Sequence, residues 1–283
     1  MCRTIFEVIE NIVSDTALSV VNGGGGNDGS YLLTGSLAVQ VLYFAYPKGQ
    51  SRYNEVMATL YIVATPIGNL EDITYRAVRI LKETDVIAAE DTRQTRKLLD
   101  RYGIAAGFLI SCRARNEENS SKGIVKLLEE GKNVAYVSDA GTPGVSDPGG
   151  RLASAVREAG FPVIPLPGAS AVTTLMSVAG TAGKGFVFEG FLSPKGGRRR
   201  NRLKELLEME MIFVLYESPY RIIKLMEDLK ELSPDRKILL GREITKKFEE
   251  FLSGTPQEVL AVLSSRSTMK GEFAVLVGLG KKG

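Results

Sequence analysis

From Leu60 onward, short apolar runs alternate with longer stretches in which apolar residues recur every three or four positions. The runs Leu60–Val63, Asp85–Ala89, Asn133–Val137 and Val163–Leu166 read as buried strands, because each is four or five residues long and opens into a polar or Pro/Gly-bearing loop. Helical patterns follow them. Ile73–Glu83 puts Ile73, Ala77, Ile80 and Leu81 on one face, and Ser120–Glu130 does the same with Ile124, Leu127 and Leu128. Thr92–Tyr102 and Arg151–Ala159 complete the set; Gly103, Gly131 and Gly160 stand just past three of these helices, where a left-handed residue ends the spiral. Strands alternating with helices predict a mainly parallel sheet covered on both faces.

Gly180–Gly185 (GTAGKG) interrupts the pattern and reads as a linker. Beyond it, Phe186–Glu189, Met211–Tyr216, Lys237–Arg242, Phe248–Leu252 and Phe273–Gly278 are expected strands, with helices at Tyr220–Leu232 and Pro256–Leu263. The larger share of strand predicts a mixed sheet. The expected fold class is α/β, as two α/β domains, residues 57–180 and 186–283, with a cleft between them.

Residues 1–56 have another character. Ile5–Leu18 fits one amphipathic helix, Asn22–Ser30 (NGGGGNDGS) has linker composition, and Tyr31–Tyr46 is apolar but shorter than the about 20 residues a membrane span needs. Met57 opens a strand-like run, so it is the expected natural start, with the leader a disordered or upstream-translated appendage. A membrane- or partner-binding helix is the competing expectation.

Charge adds a lean towards a polyanion. The first 56 residues hold three basic and five acidic side chains, leaving 33 basic against 28 acidic in the rest. Two cysteines, Cys2 and Cys112, make no metal or redox spacing, and with no signal peptide the expected compartment is a reducing cytoplasm. Histidine is absent from all 283 residues, which excludes Ser-His and Cys-His engines, His-ligated zinc and a histidine base. Proton chemistry falls to carboxylates, Lys, Tyr or water.

The chemistry-bearing loops sit at expected strand ends: Ala64–Leu70 (ATPIGNL), Glu90–Arg93 (EDTR), Ser138–Gly149 (SDAGTPGVSDPG) and Pro167–Ala171 (PGASA). In a parallel sheet those ends share an edge, so the four loops are expected to rim one pocket. Gly278–Gly283 matches G-x-G-x-x-G by letter, but no helical pattern follows it to present an N-terminus to a pyrophosphate. No glycine loop precedes Gly-Lys-Ser/Thr, so a P-loop is excluded as well.

The four loops together, with ESP-x-R at Glu217–Arg221 and EITKKFEE at Glu243–Glu250, resemble the tetrapyrrole methylase superfamily, and within it the branch that methylates ribosomal RNA. The resemblance runs from about Met57 to Gly278 and leaves the leader uncovered. It implies two α/β domains of tetrapyrrole-methylase type with S-adenosylmethionine in the cleft between them, 2′-O-methylation of a cytidine in small-subunit rRNA, naked or in the assembled subunit, and a homodimer. By position, Pro66, Gly68, Ser138, Asp139, Ala140, Gly141, Thr142, Pro143, Pro167, Gly168, Ser170 and Ala171 would bind the cofactor. Gly141 and Gly168 would open the backbone to it. The chain departs from the family where histidines are usual: Arg113, Arg115 and Tyr220 stand there instead.

A ribose hydroxyl must lose a proton on methylation. Glu90 and Asp91 at a strand end, and Glu117 in the arginine-flanked segment, are the candidate acceptors. The structural alternative has Asp91 capping the helix that follows and Glu90 pairing with Arg93. For RNA, the candidates are Arg93, Arg113, Arg115 and the run Lys195, Arg198, Arg199 and Arg200, which Arg202 and Lys204 extend to six cations in ten residues; Gly196 and Gly197 are expected to make its start mobile. Two further functions fit the same fold. A methylase of a small tetrapyrrole would meet propionates with the basic run and show no salt-dependent RNA affinity; a non-catalytic RNA-binding assembly factor would bind RNA and never consume the methyl donor.

Overall fold

The computed structural model describes residues 57–105, 107–180 and 185–280. The leader expectations, the centre of the Gly180–Gly185 segment and the last letters of the C-terminal glycine pattern lie outside the described residues.

The first sheet holds β1 (Leu60–Val63), β2 (Val86–Ala89), β3 (Leu109–Ser111), β4 (Val134–Val137) and β5 (Val163–Leu166) in the order β3-β2-β4-β1-β5, all parallel. Helices α1 (Tyr75–Glu83), α2 (Thr92–Arg101), α3 (Glu117–Glu129) and α4 (Gly150–Glu158) connect them. Period-two alternation decides which helices cover which face. In β4, Val134 and Tyr136 join Ile124, Leu128, Leu152 and Val156 of α3 and α4. Ala135 and Val137 join Ala77, Ile80, Leu81 and Leu99 of α1 and α2 on the other face. Both faces are thereby dry, as a parallel sheet requires.

The second sheet is mixed. Strands β6 (Phe186–Phe191), β7 (Ile212–Glu217), β8 (Ile238–Arg242), β9 (Glu250–Gly254) and β10 (Phe273–Val277) take the order β6-β7-β10-β8-β9, with only β6 and β7 parallel. Helices α6 (Gly196–Glu208), α7 (Ile222–Leu232) and α8 (Pro256–Ser264) cover one face through Leu203, Leu225 and Val259 against Phe213 and Leu215. The opposite face packs Ile212 and Val214 against Val172 and Leu175 of α5 (Ala171–Ser177), with Ile67 and Val145 of the first sheet's loops alongside. Both sheets belong to one compact unit, and that shared core sets the loops of one against the strands of the other. Among the described residues no helix is long and apolar enough to cross a membrane.

Two helices and a strand depart from the expected pattern. The basic run expected to start as a mobile loop is helical: Lys195 is the N-cap of α6, Gly196 and Gly197 are its opening residues, and the remaining cations lie within the helix. Helix α5 begins inside the expected Pro167–Ala171 loop, and β3, three residues long, is shorter than any pattern window.

Candidate active site

Strands β4 and β5 flank β1 on opposite sides, so the loops after these three strands leave from neighbouring positions where the winding of the sheet reverses. Backbone bonds stitch the loops together. Thr65 N donates to Gly141 O at 2.9 Å and Gly141 N to Thr65 O at 3.0 Å. The Thr142 hydroxyl donates to Ala169 O at 3.2 Å, and Thr65 Oγ1 to Ser138 O at 3.2 Å. The two glycines expected to admit a ligand also permit close approach between the loops. Gly141 sits at φ +81° with Ile67 Cγ2 3.3 Å from where a Cβ would stand, and a Cβ on Gly168 would lie 2.8 Å from Ala64 Cβ. Each lets one loop touch another.

A cavity of about 430 Å³ lies between these loops and the second sheet, within the range of small-molecule sites. Of the expected cofactor residues, Ala140, Gly141, Thr142, Ser170 and Ala171 line it. Pro66, Gly68, Ser138, Asp139, Pro143, Pro167 and Gly168 belong to the same loops without reaching the cavity wall. From the second half come Phe191, Tyr216, Glu217, Ser218, Ile244 and Lys246. Tyr216 accepts the Val172 N–H at 3.1 Å, joining β7 to the first turn of α5. Glu217 Oε1 accepts from Ser218 N and from Arg221 Nη2, each at 2.7 Å, while its buried Oε2 has no partner among the described residues. An unpaired buried acceptor costs about 1–3 kcal/mol, a cost that a donor bound in the cavity would recover.

The three carboxylates named from sequence lie outside the cavity wall. Asp91 caps α2, accepting Arg93 N at 2.9 Å, and pairs with Arg93 Nη2 at 2.6 Å, so Arg93 pairs with Asp91 rather than with Glu90. Hydrogen bonds from Arg93 hold its carboxyl far below the usual range. Glu117 opens α3 and is buried; its Oε1 accepts the N–H groups of Gly149 at 2.9 Å, Arg151 at 3.1 Å and Leu152 at 3.3 Å. It caps α4 from outside that helix. Glu90 Oε2 accepts Asp139 N at 3.3 Å, and Asp139 Oδ1 accepts Asp91 N at 2.9 Å, so the β2 and β4 loops are cross-linked. Burial pushes Glu90 up, and the neighbouring charges of Asp139 and Asp91 add to this against the Asp139 hydrogen bond.

The cations divide. Lys195, Arg198 and Lys204 are exposed, as are Arg113 and Arg115 beyond β3. Arg199 is buried against Asp228, Nε to Oδ2 at 2.7 Å, and Arg200 meets Asp228 at 2.9 Å and Glu231 at 2.6 Å. Arg202 pairs with Glu189 at 2.8 Å and Glu205 at 2.7 Å. Half of the six-cation run is therefore committed to bracing α6 against α7 and β6. Asp147, Tyr216, Glu217 and Lys246 were not singled out from sequence, although all but Tyr216 fall inside strings that carried the resemblance.

A parallel sheet whose crest loops face a mixed sheet across a cavity is an architecture this chain shares with corrinoid and porphyrin methyltransferases. A cobalt precorrin-4 methyltransferase of cobalamin biosynthesis superposes with a TM-score of 0.58 at 17% identity, covering 78% of this chain and 94% of the other. Uroporphyrin-III-C-methyltransferase from Thermus thermophilus gives 0.56 at 21%, covering 78% and 94%. Those likenesses are of fold. The sequence model of Tetrapyrrole (Corrin/Porphyrin) Methylases matches residues 59–260, and the chain belongs to that family. Proteins named Ribosomal RNA small subunit methyltransferase I are much nearer in sequence. That of Neisseria meningitidis serogroup B is 50% identical over 222 residues, covering 78% of this chain and 76% of the relative. That of Thermotoga maritima is 44% identical over 221 residues, covering 78% and 98%. The chain is an S-adenosylmethionine-dependent methyltransferase.

Proposed function

We propose that this chain transfers a methyl group from S-adenosylmethionine to the ribose 2′-oxygen of a cytidine in small-subunit ribosomal RNA. One observation carries the choice of substrate. Identity is 41–50% to proteins named for ribosomal RNA but only 17–21% to the solved corrinoid and porphyrin enzymes. The bound donor supplies an electrophilic methyl group on a sulfonium. Residues 138–143 and 167–171 with Pro66 and Gly68 would hold it, Ala140, Gly141, Thr142, Ser170 and Ala171 at the cavity itself. The unpaired Glu217 Oε2 fits its ammonium or hydroxyl donors. Alignment of the two reactants supplies much of the rate in such an in-line displacement.

Exposed Arg113, Arg115, Lys195 and Arg198, with Arg93 at the β2 end, would meet RNA phosphates. Residues 57–180 and 186–283 act as the two domains, and a cytoplasmic homodimer belongs to the same proposal. Labelled methyl donor incubated with small subunits, naked rRNA or a porphyrinogen discriminates the substrates. Label in RNA, at a ribose, is expected; label in the porphyrinogen alone would replace this function with the small-molecule one, and donor never consumed would leave a binding factor.

A further inference from the structure

The geometry points to Asp147 as the group that takes the proton from the ribose 2′-hydroxyl during methyl transfer, an assignment that rests on the proposed function and deepens it. The acceptor has to face the cavity, and the chain has no histidine to offer. Five titratable side chains line the cavity: Asp147, Tyr216, Glu217, Lys246 and Glu272. Lys246 is held as a cation between Glu243 and Glu272, each at 2.9 Å. Burial pulls its pKa down, but the hydrogen bonds to those two carboxylates outweigh it and the net shift is upward. Glu272 is the mostly exposed partner in that pair. Tyr216 is kept protonated, since burial pushes its hydroxyl up. Glu217 is anchored through one oxygen by Arg221 and Ser218 N, leaving the other suited to fix a bound donor in place.

Asp147 differs from all four. It is half-buried, and the charges facing it are Glu90 of the β2 loop, Asp139 of its own loop and Glu272 ahead of β10. Tyr216 of β7 and Lys246, tied to Glu272, are the other titratable groups in the same cavity. Burial, and then those three like charges, hold its carboxyl at about 6, with no hydrogen bond among the described residues to lower it. A base near the working pH combines a deprotonated resting form with useful proton affinity. The backbone is bent to place it. Ser146, just before it, has φ +63°, and Gly190 of β6 leaves room for that turn, since a Cβ there would stand 2.6 Å from Ser146 Oγ. Such a conformation in a non-glycine residue is strained and persists where the surroundings impose it.

In the step, the 2′-oxygen forms its bond to the methyl carbon as the C–S bond breaks with both electrons on sulfur. The O–H bond breaks with its pair left on oxygen, and the proton passes to an Asp147 carboxylate oxygen and then to water.

The test is Asp147→Asn, with carboxyl-carbon NMR of the whole protein and calorimetry beside turnover on the RNA substrate. Expected is a loss of turnover of about 100-fold or more, with affinity for S-adenosylmethionine and for rRNA within about two-fold of wild type. The wild-type carboxyl signal that vanishes in Asp147→Asn should titrate near 6, and move to lower pH in Glu90→Gln, where a like charge is gone. Turnover within a few-fold of wild type, loss of cofactor affinity along with turnover, or titration in the ordinary carboxylate range would each overturn the assignment. Wild-type protein that methylates no RNA would instead overturn the proposed function, and the Asp147 role with it.

Discussion

Asp147 carries a cost in stability that can be measured without any substrate. Its pKa in the folded protein, about 6, exceeds the usual carboxylate value. Between the two values the native state holds a proton that the unfolded chain has released, so stability falls as pH rises through roughly pH 4 to 6 and stays lower above it. Asp147→Asn should raise Tm at pH 8 and leave it unchanged near pH 3.5; thermal melts at both pH values check this, and a lower Tm at pH 8 would mean that the carboxylate is stabilising. The loop that holds Asp147 is legible in the sequence but the residue is not, because what sets it apart is burial in the fold and charges from Glu90 and Glu272, 57 and 125 positions away. The glycines were legible as special, and the fold adds a reason of its own, the close approach of one loop to another. Gly141→Val forces a branched residue to φ +81° beside Ile67, and should cost about 1–3 kcal/mol of stability and much of the cofactor affinity. Calorimetric affinity equal to wild type would remove that turn from the cofactor site.

Among the elements, four of the five strands of the first sheet were the most legible, because parallel strands buried on both faces announce themselves as short apolar runs, which the three-residue β3 is too short to do. The helix ends were less so. Helix α4 takes its cap from Glu117, more than 30 positions upstream, a bond no local window can foresee. Glu117→Ala strands three N–H groups at that helix start and is expected to cost about 2–4 kcal/mol. Glu117→Gln, which keeps one acceptor oxygen, should cost less, and chemical denaturation separates them. Helix α6 was hidden by its charge. Arg199, Leu203 and Leu206 are its buried positions, a helical spacing, but an arginine does not read as a core residue until Asp228 is seen beside it. Asp228→Ala leaves Arg199 buried without its counter-charge and should cost about 3–5 kcal/mol. A loss under 1 kcal/mol would mean that Arg199 turns out to solvent.

At the scale of the molecule, two sheets of different construction meet across a shared apolar core, and the cavity opens where the crest loops of one face β7 and β10 of the other. The division of the basic run follows from that packing. Lys195, Arg198 and Lys204 stay exposed while Arg199, Arg200 and Arg202 brace the second half. Replacing the exposed three by Gln should lower RNA affinity and flatten the slope of log affinity against log salt by about 2–3. Cofactor affinity and Tm should hold. An unchanged slope would make this surface merely solvated.

The most direct measurement is a map of 2′-O-methyl marks on small-subunit rRNA from cells with the gene, without it, and without it but supplied with the Asp147→Asn form. A single cytidine mark should be present in the first and missing from the other two. Identical maps with and without the gene would contradict the function proposed for this fold.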